Sequence, residues 1–506
     1  MLFNSPVFLL GFLPAALGGF ALACRLGGAR GGGWCLIAAS GVFYGWWNPA
    51  FLPLLGASVA LNYGAARAIA ATERPRLRTA LLVGAIMADL AALVYYKYLA
   101  DLLGVIGLAV AHPVLPLGIS FFTFTQIGYL IDLRAGLIDL RAGTARAGTP
   151  RDYLLFVTFF PHLIAGPILH HREIMPQFAQ PKTWRLNADN LAAGGSLFVL
   201  GLLKKVLLAD PLAPVVAAGF GHAAGLPAVA AWRAAAAYSL QLYFDFSGYS
   251  DMAIGLARLF NLRFPLNFNA PYKATSVIDY WQRWHMTLTR YLTLFLFNPL
   301  ALAAARRRAA RGQAVGRSGQ ASAAGFAQMV AGPILLTMTL AGVWHGSGWT
   351  FIVFGVLHGV YLVANHAWRL WGMRRPFPGR VVVTYLAVLI GAVVFRAPSL
   401  TVAGQVLAGM AGAHGWGWVA PANVHAWLRA ARSAAWFGAL YAIVWGAPTT
   451  QQIMRLVEPV LGPVRAGPFP WLAWRCSVPW AMAMGGAAAL GALALGGTSE
   501  FLYFRF

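Results

Sequence analysis

Apolar runs of about 20 residues, separated by short basic connections, leave this chain few folds to choose from, because a run of that length crosses a roughly 30 Å hydrocarbon core only as a helix. The expected spans are 7–24, 34–47, 51–70, 79–100, 115–132, 191–209, 232–258, 276–300, 328–345, 349–368, 381–396, 433–447 and 472–495. Membrane barrels are excluded, since their strands are short and alternate apolar with polar residues. The fold class expected is therefore all-α: a polytopic integral membrane protein with about 11–13 transmembrane helices plus re-entrant or interfacial segments. Composition agrees, at 59% hydrophobic and 10% charged residues with a mean hydropathy of +0.65, where a soluble domain carries about 45–50% apolar residues.

A net charge of +24, from 38 Lys and Arg against 14 Asp and Glu, would suggest nucleic acid in a soluble chain. Here the basic residues cluster in the connections 67–78, 134–151, 306–317 and 369–380. That is the pattern of cytoplasmic loops, and it places the N-terminus outside the cytoplasm. No groove mixing basic and stacking aromatic residues is evident, so no nucleic-acid partner is expected. The opening residues lack a basic region ahead of their apolar run and read as a retained first span. Cys24, Cys35 and Cys476 have no metal-ligand spacing and imply no disulfide framework. One integral domain, 1–506, with a catalytic core at 114–370, is the economical description.

Two stretches fit simple spanning badly. Residues 152–171 are apolar but broken by Pro161, Gly166 and Pro167, and end in His170, His171, Arg172 and Glu173. Broken backbone at membrane depth survives only inside protein or beside a water cavity, so a re-entrant or interfacial segment is expected. Residues 261–284 mix asparagines, prolines and aromatics and are expected at the interface or along a funnel.

Polar side chains in such surroundings mark sites, because they are costly anywhere but a protein interior or a wet cavity. His345 lies between Trp344 and Gly346 at the end of one apolar run, and His285 follows Trp284 at the start of another. Imidazole suits proton transfer near neutral pH. Tyr243, Asp245 and Asp251 interrupt a third run. The two carboxylates, six residues apart, fall on different helix faces, which excludes a paired acid/base dyad of the glycosidase type. One is expected to cap or form an ion pair and the other to orient a histidine. Structural roles fit these residues too: an interfacial His345, an aromatic belt with Arg283 reaching headgroups, ion-paired aspartates. His358 and His366 are eight apart without a third ligand nearby, and His162, His170 and His171 read as a basic interfacial loop, so no catalytic metal is expected. Neither a phosphate loop nor a nucleophile elbow is present.

In combination, the segments 1–5, 115–124, 160–167, 201–206, 243–255, 267–272, 280–288, 344–346 with 358–359, and 501–504 resemble the membrane-bound O-acyltransferase (MBOAT) superfamily over nearly the whole length, specifically its bacterial branch that modifies alginate and teichoic acid. The resemblance implies that His345 is the catalytic histidine and His285 a second active-site histidine. It also implies a ring of helices in which an outer funnel meets a tunnel open to the cytoplasm. Asp245, Tyr243, Trp284, Trp344 and Asn269 are the expected funnel-lining residues. By the same likeness the activity is transfer of an acyl group, most simply acetyl, from a cytoplasmic thioester such as acetyl-CoA, with no permanently bound cofactor. The acceptor would be an exported polysaccharide or an extracytoplasmic acetyltransferase partner protein, at the bacterial inner membrane. Thr293, Leu294 and Phe295 stand where the family commonly has Arg-Asp-Tyr, which leaves the acceptor open. D-alanyl or longer-acyl transfer to a cell-wall polymer, and a transporter that only moves the acyl group, are the alternatives.

Overall fold

The computed structural model describes residues 1–136, 149–372, 378–417, 423–496 and 501–502. Parts of the basic connections 134–151 and 369–380, and positions 503–504 of the closing motif, lie outside the described residues. The regular secondary structure of the described residues is all helical, with one isolated β-bridge and no strand. Seven helices are long and apolar enough to cross a membrane: Val7–Gly45, Pro49–Ala71, Pro75–Lys97, Ala188–Gly221, Met286–Ala310, Ala323–His345 and Trp349–Trp371. The remaining expected spans fall on helices that are shorter or interrupted by polar groups. Together they make a multi-pass membrane protein.

The helices used below are α1 (Leu13–Gly45), α2 (Leu52–Ala71), α3 (Pro75–Lys97), α4 (Ile119–Arg134), α5 (Ala188–Leu203), α6 (Ala228–Leu259), α7 (Met286–Ala310), α8 (Ala323–His345), α9 (Trp349–Trp371) and α10 (Arg380–Arg396). α1 is a hairpin. Its chain reverses at Gly28, with φ 54° and ψ −140°, a conformation open to glycine and costly for a residue with a Cβ. Gly19 then faces Cys35, and Gly32 faces Cys24, across the two arms. The two expected spans 7–24 and 34–47 are these arms.

The broken stretch resolves into Pro150–Thr158 and Phe160–Leu163, followed by irregular backbone to His171. It is packed inside protein, with Phe159, Phe160 and Leu163 essentially inaccessible. That is the condition under which non-helical backbone is tolerated in a membrane protein.

The expected single span 276–300 is not one helix. Val277–Trp281 is a short helix capped by the Ser276 hydroxyl, which accepts from Asp279 N–H at 3.1 Å. The chain then breaks, and α7 begins only at Met286. The break centres on His285, whose φ of 40° and ψ of 53° are left-handed. That conformation is strained for a residue with a Cβ, and it persists only where the surroundings over-determine it.

α8 and α9 form a tight antiparallel pair joined by Gly346, Ser347 and Gly348. A Cβ on Gly342 would lie 2.3 Å from the Phe351 carbonyl oxygen, and one on Gly355 2.3 Å from that of Met338. Small residues at these crossings let the backbones approach, as helices in membranes require without a hydrophobic drive between them.

Candidate functional site

α6, the segment before α7, α8, α9 and α10 converge on one cavity of about 50 Å³. α6 contributes Leu242 and Phe246; the irregular segment before α7 contributes Tyr272, Tyr280, Trp281, Trp284 and His285; α8 and α9 contribute His345, Phe354 and His358; α10 contributes Val388, Ala392 and Phe395. The two histidines singled out in the sequence therefore share one chamber, and a third, His358, joins them. The α10 residues extend this lining beyond the 114–370 core expected from sequence.

His285 is 2% exposed, and its orientation follows from its partners. Its Nδ1 lies 3.0 Å from Asn267 Oδ1, which also accepts from Thr287 N–H at 3.3 Å and Thr287 Oγ1 at 2.8 Å. A backbone N–H can only donate, so that atom of Asn267 is the carbonyl oxygen and His285 Nδ1 must donate to it. In a neutral ring the lone pair is then on Nε2. Asn267 is itself fixed, 0% exposed and donating from Nδ2 to Ser250 Oγ at 2.8 Å, while its carbonyl accepts Met286 N–H at 2.9 Å. These bonds hold His285 in its left-handed conformation, edge-on to Phe246 with ring centroids 4.9 Å apart.

His345 ends α8, where the last carbonyls of a helix lack internal partners. Two side chains at the end of α3 supply them. Tyr98 Oη donates to the Val343 carbonyl at 2.8 Å and lies 3.2 Å from that of Trp344, and Lys97 Nζ donates to Trp344 as well. A cation at a helix C-terminus is also electrostatically favourable. The imidazole packs edge-on to Phe395, with centroids 5.0 Å apart, and beside Trp344 at 4.6 Å. Its Nδ1 is buried with no hydrogen-bond partner among the described residues, and the ring lines the chamber.

His358, 1% exposed, accepts at Nδ1 from the Trp281 indole N–H at 3.3 Å. Its Nε2 side abuts α10 at Gly391, where a Cβ would fall 2.4 Å from Nε2. Tyr280, Trp284 and Tyr272 form a nearly parallel stack along the wall, with interplanar angles of 15° and 13° about the central indole.

Of the expected funnel-lining residues, Trp284 reaches this cavity and the others do not. On α6 the facing positions are Leu242 and Phe246, one turn apart, so Tyr243 and Asp245 point elsewhere. Tyr243 packs on Tyr272, with centroids at 5.3 Å. Asp245 is buried in an ion pair with Lys205 Nζ at 2.6 Å and accepts Leu502 N–H at 3.0 Å. Asp251 pairs with Lys204 at 2.6 Å and with Gln451. Both carboxylates are thus salted to consecutive lysines; neither orients a histidine, and Asn267 does so instead. Trp344 stacks on Phe124 under Lys97. Asn269 closes a turn by backbone contacts with Arg283, its N–H donating to the Arg283 carbonyl at 2.9 Å, and Arg283 is held by Asp279 at 2.7 Å rather than reaching headgroups.

The remaining histidines divide. His162 is buried with Nε2 2.9 Å from the Phe156 carbonyl. His170 and His171 are no loose basic loop: both Nε2 atoms converge on Asp132 Oδ2, at 2.8 and 2.9 Å, tying the broken segment to α4. Those three donors lie close enough together to hold a metal ion, and two imidazole N–H groups donating to one carboxylate oxygen account equally for the arrangement.

Residues 116–316 match the model of the membrane-bound O-acyltransferase family. The chain is 38% identical over 444 residues to the peptidoglycan O-acetyltransferase of Helicobacter pylori, covering 82% of this chain and 80% of that protein. It is 38% identical over 423 residues to "Probable alginate O-acetylase AlgI" of Azotobacter vinelandii, covering 81% and 78%. A teichoic acid D-alanyltransferase of Streptococcus thermophilus is more distant, 27% identical over 259 residues.

Proposed function

This chain belongs to the membrane-bound O-acyltransferase family and is a membrane acyltransferase, and we propose that it moves an acetyl group from a cytoplasmic thioester, acetyl-CoA, to a hydroxyl of an exported polysaccharide or of an extracytoplasmic partner protein. The carrying observation is that His345 and His285 line one chamber whose size suits an acetyl group and whose wall, among the described residues, holds no carboxylate. One water needs roughly 10–15 Å³ of such space, so about 50 Å³ admits about three to five non-hydrogen atoms, and acetyl has three. A D-alanyl group nearly fills that space and brings an ammonium that meets no anion among the described lining residues, so acetyl is the better occupant.

His345 acts as general base: the acceptor hydroxyl gives its proton to the ring, its oxygen attacks the acyl carbonyl, and the C–S bond breaks as the leaving thiolate takes that proton from the imidazolium. His285, with its lone pair on Nε2, orients the acceptor hydroxyl or the His345 ring rather than the acyl carbonyl, which requires a donor. α8 and α9 run from basic connections at one end to the turn 346–348 at the other. If basic loops are cytoplasmic, His345 meets an acceptor arriving from the opposite face, and the membrane is the bacterial inner one with the N-terminus outside.

His345→Ala is expected to remove O-acetyl from the modified polymer, measured as acetate released by mild alkali, while immunoblotting finds the protein still in the membrane. Loss of a general base costs about 10²–10⁴-fold in rate; a fully acetylated polymer would overturn the assignment.

A further inference from the structure

A second cavity, of about 320 Å³, adjoins the histidine chamber, and Trp281 lines both. This larger cavity lies between the 277–297 segment, α8 and α9, with Thr337, Met338, Leu292, Leu362 and His366 in its wall. Thr337 is buried, and its hydroxyl has no hydrogen-bond partner among the described residues. On α8 these positions precede His345 by two turns, and on α9 they follow His358, so the second cavity lies on the side of the basic connections.

Trp281 is 8% exposed and held from two directions. Its indole N–H bonds His358, and its ring stands edge-on to His358 and Tyr280, at 87° and 81°. The indole is therefore a fixed partition between a chamber with room for a two-carbon acyl group and one several times larger.

We propose that Trp281 sets the acyl length: its side chain ends the space beyond the histidine pair, and its truncation joins the two cavities so that longer acyl groups become substrates. This rests on the acyl-transfer reading above and adds a specificity-determining residue to it. The transferred bond does not change, since the same thioester carbonyl is attacked whatever chain it carries; only the room for carbons beyond the second does.

The test uses the full-length protein in membrane vesicles, supplied with peptidoglycan fragments or alginate oligosaccharides and with acetyl-, butyryl- or octanoyl-CoA. Acceptor-dependent CoA release is read with a thiol reagent, and the ester on the product by mass spectrometry. A single methylene in a shaped pocket discriminates about 10–200-fold, so the wild-type protein should favour acetyl over butyryl by at least about tenfold. Trp281→Ala should bring the two within about threefold, and Trp281→Phe, which keeps a ring but loses the bond to His358, should stay near the wild-type ratio. Met338→Phe in the Trp281→Ala background, refilling the space from α8, should restore the preference for acetyl. A role confined to stability would lower all donors together and leave the ratio fixed. An unchanged butyryl-to-acetyl ratio in Trp281→Ala, or in Trp281→Leu if the alanine variant does not accumulate, overturns the proposal while acetyl transfer by the wild type still stands. Absence of any transfer by the wild type would overturn the underlying reading instead.

Discussion

Asn267→Ala tests whether the histidine site is built as described. The native side chain accepts three hydrogen bonds at Oδ1 and donates one to Ser250. After truncation the Thr287 hydroxyl can rotate, but Thr287 N–H and His285 Nδ1–H remain buried without an acceptor. Each such loss costs about 1–3 kcal/mol, so stability should fall by about 2–6 kcal/mol in total. The effect on catalysis is separable. If the bond to His285 contributes about 1–2 kcal/mol to holding the proton on Nδ1, its loss lowers the population of the working ring by about 5–30-fold. Thr287→Val is the comparison: it removes the hydroxyl that bonds Asn267 and accepts Ile168 N–H at 2.9 Å, yet leaves the His285 bond in place. It should lose stability with little change in turnover. The assay is acetyl transfer in vesicles, normalised to folded protein by detergent-resistant gel filtration, with thermal unfolding recorded in parallel. Full turnover per folded Asn267→Ala molecule would refute the claim that this amide orients His285, as would an equal catalytic loss in Thr287→Val.

Further outcomes follow from contacts elsewhere. Lys205→Met leaves Asp245 buried at 1% exposure without its cation and should cost about 3–5 kcal/mol, seen as a lower unfolding temperature, with Lys205→Met/Asp245→Leu recovering most of the loss. Gly391→Ala puts a Cβ 2.4 Å from His358 Nε2 and should destabilise by about 1–3 kcal/mol while disturbing turnover, whereas Gly404→Ala, on a helix with nothing within 4 Å, should be close to neutral in both measurements. Tyr98→Phe removes the hydroxyl that caps α8 and should cost about 1 kcal/mol, with turnover per folded molecule reduced because His345 is the next residue along.

Which parts of this were readable from sequence depended on how local the cause was. Long apolar helices announce themselves, and both arms of the α1 hairpin were visible as separate runs because Arg25 and Arg30 interrupt them. His285 and His345 stood out as imidazoles beside apolar stretches. Asn267 did not, because it lies 18 residues from His285 in an irregular segment and its importance is wholly a matter of tertiary contact. Tyr243 and Asp245 drew notice as polar residues in an apolar helix, yet the polar face is satisfied by Lys205 and the chamber faces Leu242 and Phe246. The adjacent Lys204 and Lys205, themselves out of place in an apolar run, were the available clue to where those carboxylates go. The span expected at 276–300 starts only at Met286, and the displacement was not legible because positive φ at a non-glycine residue such as His285 leaves no compositional trace.

The capping of α8 by Lys97 and Tyr98 has a consequence for how this molecule can be divided. The stretch that carries the family's signature, 116–316, contains neither the histidine at the tip of α8 nor the α3 side chains that anchor it. A fragment trimmed to that stretch would discard both the reagent and its mooring. Chimeras between relatives should therefore exchange α3 and α8 as a matched set, since a foreign partner at either end would let the imidazole drift from the place where ester formation requires it.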